Sequence, residues 1–169
     1  AADMLYLEGY LCTSPTARDA VIHARELAER RGIRTVASLS DPSVVEFFGE
    51  DMRAMLGSHV DHLFCNEEEA LAWTGASTLE DAFSSLKDFA SSFAITRGAE
   101  GSLLWDGSAR HTVATAPIKP VDTNGAGDMF AGACLAARLK DASVTEAAGF
   151  ANRAAARVIT QFGARLPNL

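Results

Sequence analysis

Long apolar runs are missing: no stretch approaches the roughly 18 consecutive apolar residues that a membrane-spanning helix requires. The opening AADMLYLEG lacks the basic segment and apolar core of a secretory leader, so a cytoplasmic protein without a membrane partner is expected. Positive charge is also scarce. Fifteen Lys and Arg against 22 Asp and Glu leave a net charge of -7, which argues against a nucleic-acid partner bound through broad phosphate neutralisation. A small anion can still be held locally by backbone amides. Cysteine is sparse. Cys12, Cys65 and Cys134 are odd in number, widely spaced and set among apolar neighbours, and read as reduced core residues rather than a disulfide framework or metal site. No G-x-x-x-x-G-K-[ST] loop occurs, and GAGDMF lacks the third glycine of the dinucleotide fingerprint. No repeat, low-complexity tract or linker divides the chain. What is present is enough for one domain: 169 residues, 48% of them apolar.

Strand and helix signals alternate. DMLYLEGY, closed by Gly9, suits a buried strand. Ser14 as N-cap and Pro15 at the first position open a helix whose apolar stripe is Ala17, Ala20, Val21, Ala24, Leu27 and Ala28, ending at Gly32. IRTVASLS reads as a second strand and DPSVVEFFGEDMRAMLG as a helix started at Asp41-Pro42. VDHLFC follows as a strand, then a short helix over EEEALAWTG, then one from about Leu79 to Ala90 behind a Thr78/Asp81 capping box. His59 and His62, with no third ligand type nearby, read as loop residues before that strand. FAITRG is a strand and GSLLWDGSARHTVATA a hairpin turning at Asp106-Gly107. Helices from about Gly125 to Leu139, and from Ser143 with Glu146 three residues on, close the chain. The second carries Ala147, Phe150, Ala151, Ala154, Val158 and Ile159 inward and stops at Gly163. The class is α/β: a mainly parallel sheet with helices on both faces, its ligand loops beginning at Asn66, Arg97 and Asp122.

The stretch VDTNGAGDMFAGA, residues 121–133, carries the chemistry. The helix after it leaves its first amides without intrahelical partners and puts partial positive charge at that end, where an anion is welcome. Gly125 and Gly127 have no Cβ, so the backbone there can adopt positive φ and come close to a phosphate. Asp128 sits beside them. It could merely favour the helix dipole, with Asp122, Thr123 or Asn124 as cap. A carboxylate there nevertheless repels the anion the amides attract. The conflict makes chemical sense if Asp128 takes a proton from a hydroxyl attacking the phosphate.

At Asp122 to Asp128 the chain resembles the ribokinase-like (PfkB) carbohydrate and nucleoside kinases, whose signature is D-T-x-G-A-G-D followed by a small, apolar helix, here MFAGACLAA. Three further elements occur in the family's order: NEEEALAWTG is similar to its N-x-x-E element, TRGAEG to its T-x-G-x-x-G nucleotide loop, and FANRAAARVITQFGA to its closing helix. The resemblance implies an ATP-dependent kinase with a ribokinase-like fold. Asp128 would be the general base. The amides of Asn124, Gly125, Ala126 and Gly127 would form the anion hole for the γ-phosphoryl group. Asn66 and Glu69 would position phosphate and water-bound Mg²⁺, and Thr96, Gly98 and Gly101 would line the ATP tail, with Arg97 at the loop's variable position meeting phosphate or solvent. Asn152 falls where the family approaches adenine. Many members bind a monovalent cation, K⁺ among them, through the residue matching Asp122 and carbonyls near Val158, Gln161 and Gly163.

Taken alone, the EEE run at 67–69 is an ordinary acidic first helical turn, and Asn152 an ordinary polar residue on a helix. Family members are about twice this length. The part without a counterpart here is the N-terminal region, with most sugar-binding residues and the lid that closes over the acceptor. The chain is therefore expected to be a C-terminal portion, incomplete for catalysis by itself. Its first strand should then show a bare edge, to be paired by that missing segment or by a second copy in a homodimer. SLSDPSVVEFF is similar to a stretch of the adenosine kinase branch, favouring adenosine or another ribosyl compound among sugar and nucleoside acceptors. A module that binds nucleotide without transfer is the alternative.

Overall fold

The computed structural model describes residues 2–166. Its strands are β1 (Met4–Glu8), β2 (Arg34–Ser38), β3 (His62–Asn66), β4 (Phe93–Thr96), β5 (Ser102–Trp105) and β6 (Arg110–Val113), hydrogen-bonded in chain order as one sheet. Its helices are α1 (Pro15–Arg30), α2 (Pro42–Leu56), α3 (Glu67–Thr74), α4 (Leu79–Phe89), α5 (Ala126–Arg138) and α6 (Val144–Val158), with short 3-10 turns at Gly9–Thr13 and Gly98–Glu100. β1, β2 and β3 run parallel, with Tyr6 opposite Val36 and Ala37 opposite Leu63, while β5 and β6 are antiparallel. The mixed α/β class with a mostly parallel sheet agrees with the alternation read from the sequence. The chain forms two compact units, Ala1–Ala94 and Ile95–Leu169.

In the first unit β2 and β3 supply the buried Val36, Ala37, Leu63 and Phe64, and α2 sets Met52, Met55 and Leu56 in the same core. Each helix start has a physical cause. The Ser14 hydroxyl accepts from the Ala17 amide, and the Asp41 carboxylate from Ser43, both ahead of a proline that needs no partner. Thr78 accepts from the Asp81 amide, but the Asp81 carboxylate takes the Thr78 hydroxyl proton at 2.7 Å, not the Thr78 amide, so the expected reciprocal box is only half made. His62 lies in β3, not in the loop before it, its Nδ1 2.7 Å from the Ser92 hydroxyl; His59 meets Ser91. Of the stripe expected on α1 only Ala28 is buried, and Ala20 is exposed. α1 lies against β1 and β2, and because β1 is an edge of the sheet no strand among the described residues pairs with its outer side.

The second unit is the β5–β6 hairpin with α5 and α6. The Asp106 carboxylate nucleates the turn, accepting from the amides of Ser108 and Ala109 and from the Ser108 hydroxyl. α5 and α6 pack through small side chains: Ala131, Ala133, Ala147, Ala148 and Ala151 are all buried, around Phe130 and Val158. Phe150, expected inward, is 48% exposed, because the face turned to α5 and the hairpin runs through Ala147, Ala151 and Asn152 instead. The three cysteines are buried thiols, and burial pushes that of Cys134 up to about 11. Among the described residues no helix is long and apolar enough to cross a membrane.

Candidate active site

In the first unit, Asn66 ends β3 and caps α3. Its amide and its side-chain Nδ2 donate to the two carboxylate oxygens of Glu69 at 2.9 and 2.8 Å, while its Oδ1 accepts from the Glu69 amide at 2.8 Å. Asn66 and Glu69 are thus joined by three hydrogen bonds. Glu69 is 5% exposed, and burial, reinforced by Asp41 and Glu68, raises its carboxyl to about 7 against the pull of the Asn66 amide.

In the second unit, β4 ends at Thr96 and the chain turns through residues 97–101. The Arg97 amide donates to the Gly101 carbonyl at 2.8 Å and the Gly101 amide to the Gly98 carbonyl at 3.1 Å. Gly101 takes φ +84°, and a Cβ there would run into the Val113 carbonyl oxygen, so only glycine lets the loop lie against the end of β6. Arg97 pairs with Glu100 at 2.6 Å.

The loop before α5 is held by the protein's own oxygens. One Asp122 carboxylate oxygen accepts from the Asn124 amide at 3.0 Å and the other from the Gly163 amide at 2.9 Å; these bonds, Asn124 first, hold its pKa below the usual carboxylate value. The Val121 and Asp122 amides donate to the Ile159 carbonyl, so the loop is pinned twice to the end of α6. Gly125 turns the chain into α5 at φ +75°. One correction follows for the expected anion hole. The Asn124 amide serves Asp122, and the Ala126 amide reaches the Thr123 carbonyl at 3.2 Å, so neither is open. Of the two glycines free to take positive φ, Gly125 makes the left-handed step, and Gly127 already lies within α5. The Gly127 and Asp128 amides have no acceptor among the described residues, and α5 has no side-chain cap. Asp128 is exposed on this first turn.

Asn152 is 6% exposed, not a solvated helix residue. Its Nδ2 donates to the Val113 carbonyl at 3.0 Å, with the Ser102 hydroxyl at 3.3 Å and the Ala114 carbonyl at 3.4 Å. The amide ties α6 to both strands of the hairpin. Thr96, Gly98, Gly101, Ala126 and Asn152 border one cavity of about 290 Å³. Asp122, Asn124, Gly125, Gly127 and Asp128 lie in the loop and helix start at Ala126. Sequence reasoning missed the apolar wall, Ile118, Pro120, Phe130 and Ile159, which comes from a segment after the hairpin that was assigned to no element and from the two closing helices. The prolines of APIKP, which keep that segment out of the sheet, were the available signal.

All 169 residues match the pfkB family of carbohydrate kinases. Among curated relatives, the chain is 38% identical to a cytidine kinase of Thermococcus kodakarensis over 67% of its length and 42% of that protein's. It is 30% identical to an adenosine kinase of Schizophyllum commune over 96% of its length and 52% of that protein's. The chain thus spans about half the length of the curated relatives it matches. The solved adenosine kinase of Sinorhizobium meliloti superposes with a TM-score of 0.90 at 33% identity, over 98% of this chain and 51% of that one. With the family's model matched over the whole length, the chain belongs to the pfkB carbohydrate kinase family.

Proposed function

We propose that this chain carries the nucleotide-binding and proton-abstracting part of an ATP-dependent kinase acting on a primary hydroxyl of a sugar or nucleoside. The single observation behind this is a cavity that runs from the T-x-G-x-x-G loop to the first residue of α5, where two helix amides stand without acceptors. The cavity takes the nucleoside end of ATP, and the Gly127 and Asp128 amides, aided by the helix dipole, attract the γ-phosphoryl group. Asp128 accepts the proton of the acceptor hydroxyl. That oxygen bonds to the γ-phosphorus while the bond to the β,γ-bridging oxygen breaks, and ADP leaves.

Magnesium fits a hydrated mode. Among the described residues no group of three or more His, Cys, Asp or Glu forms a cage, and a hydrated ion needs only one or two carboxylates plus substrate phosphates. Within the first unit Glu69 would take a hydrated ion through water once its carboxylate is ionised, and Asn66 fixes that carboxylate's orientation; the chemistry such an ion would supply in phosphoryl transfer is neutralisation of charge on phosphate oxygens. Asp122 and nearby carbonyls offer oxygen ligands of the kind K⁺ takes, and the bonds from Asn124 and Gly163 keep that carboxylate ionised.

Acceptor-dependent ADP release, measured with a panel of ribosides and hexoses, tests the reading. Asp128→Asn is expected to lower turnover by about 10²–10⁴ with nucleotide binding kept. Near-normal turnover would remove Asp128 from the mechanism. The inward engagement of the Asn124 and Ala126 amides favours a second reading, a module that binds nucleotide without transfer, and nucleotide binding without acceptor-dependent ADP release would select it.

A further inference from the structure

The geometry points to a self-association surface: a groove on α2 of one copy receives the exposed face of α6 from a second copy of this chain. α2 is broken at Phe48, whose φ of -125° and ψ of 21° depart from helical values just before Gly49. Around the break lies a cavity of about 490 Å³, bordered by Glu46, Phe47, Phe48, Glu50, Asp51 and Ala72. Phe47 is 74% exposed and Phe48 is exposed beside it. Adjacent aromatic rings left in water around a concavity have the composition of an interface core rather than of ordinary surface. The charges at the rim say what an occupant must carry. Glu46 and Glu50 have no ion-pair partner among the described residues. The two nearby arginines are engaged elsewhere: Arg18 meets Asp51, and Arg53 lies over the Trp73 ring with its Nη2 donating to the Trp73 carbonyl. A fitting occupant therefore brings an apolar ring for the groove and two cations for its rim.

α6 presents that set. Phe150, Arg153 and Arg157 stand at i, i+3 and i+7, on one face of the helix, and all three are exposed. Neither arginine has an ion-pair partner among the described residues. Arg153 and Arg157 are one helical turn apart, as Glu46 and Glu50 are, so two guanidinium–carboxylate pairs can form together while Phe150 enters beside Phe47 and Phe48. A guanidinium also stacks on an aromatic face, which lets the arginines meet Phe47 as well as the glutamates. A second copy is favoured over an unrelated partner because both halves of the match, acidic groove and basic face, are carried by this one chain. Each contact uses one groove and one α6 face, so the assembly either closes about a two-fold axis with the contact made twice or continues head to tail. None of these residues borders the nucleotide cavity, and the inference stands apart from the donor-site reading.

Sedimentation velocity of the whole chain, from micromolar to millimolar concentration, tests the inference. The sedimentation coefficient of the unaltered chain is expected to rise with concentration. Two charge-reversed chains, Glu46→Arg with Glu50→Arg and Arg153→Glu with Arg157→Glu, should each stay monomeric over the same range, because each brings like charges together at the contact. Mixed in equal amounts they should associate again, since the basic groove of one meets the acidic helix face of the other and the reverse pair is also matched. Phe47→Ser and Phe150→Ser should each weaken association by about tenfold or more, the scale of a buried anchor residue. Circular dichroism checks that every variant is folded, and where a reversed chain is not, the two serine variants decide in its place. An unaltered chain that stays monomeric at millimolar concentration would overturn the inference. Association that survives both reversals, or both serine substitutions, would place the contact elsewhere, with the outer edge of β1 as the next surface to test. Loss of association in only one reversed chain, or a folded mixture that stays monomeric, would show that these two faces do not meet.

Discussion

A methyl group added at Gly125 would lie 2.6 Å from the Cβ of Ala164, on backbone already at φ +75°, whereas at Gly127 it would enter open space. The two positions therefore separate folding from binding. Gly125→Ala is expected to cost about 1–3 kcal/mol, the usual scale of left-handed strain at a non-glycine residue with added overlap. Gly127→Ala is expected to be neutral or stabilising by up to about 1 kcal/mol, since it replaces a helical glycine. Its methyl group would nevertheless sit among the amides proposed to meet the phosphate, so triphosphate affinity should fall. Denaturant unfolding and nucleotide titration on both variants check this, and undiminished affinity in Gly127→Ala would move the anion site elsewhere. Asp106 offers a residue-scale prediction about pH. The Ala109 amide, His111 and Ser108 hold its carboxyl far below the ordinary value of 3.8. A group whose pKa is depressed by folding adds stability above its unfolded pKa and loses it as pH falls toward the folded one. The stability margin of the parent over Asp106→Asn should therefore be steady at neutral pH and shrink below about pH 4, read as converging acid-unfolding curves. A margin constant down to acid unfolding would mean that the turn does not depend on the charge.

Element by element, the helix starts were legible because a cap is a local affair: Ser14, Asp41, Asn66, Thr78 and Ser143 each accept from an amide two or three residues on. The signature stretch was legible for a similar reason, since a glycine step followed by a helix start is written in adjacent residues. What failed was whatever depends on a distant partner. Taken alone, Asn152 read as an ordinary polar helix residue because its acceptors, Val113 and Ala114, lie 39 and 38 residues away. Phe150 looked inward because apolar spacing gives a face its width but not its centre, and alanines took the contact with α5. The Asn124 and Ala126 amides are an exception: their acceptors, the Asp122 carboxylate and the Thr123 carbonyl, are local, but the residues permit the loop to fold back on itself without requiring it. Asn152 then makes a prediction for the elements it joins. Asn152→Ala removes the donor shared by Val113, Ala114 and Ser102, and should cost about 1–3 kcal/mol, the penalty for buried acceptors left unmet. Hydrogen exchange should speed up in β5, β6 and α6 together. Faster exchange confined to α6 would show that the side chain does not couple helix to hairpin.

At the scale of the whole molecule, the two compact units differ in what a nucleotide can do to them. Every residue bordering the cavity belongs to the second unit, from Thr96 to Ile159. A net charge of -7 makes the chain as a whole unwelcoming to a triphosphate, so any affinity must come from local amides and apolar walls rather than from the overall field. Ligand bound only to the folded state stabilises it by about 2.7 kcal/mol at a hundred times its Kd, and the gain belongs to the segments whose opening releases the ligand. Magnesium nucleotide at that concentration should therefore slow amide exchange across the loop at 96–101, the start of α5 and the second half of α6. β1 and α1, at the edge of the sheet, should exchange as before. The contrast is informative because burial already differs: on α1 only Ala28 is buried and half of the residues are exposed. Protection that appears in α1 and β1 as strongly as at Thr96 and Ala126 would mean that nucleotide binding orders the whole chain at once, and the site could then not be assigned to the second unit on these grounds.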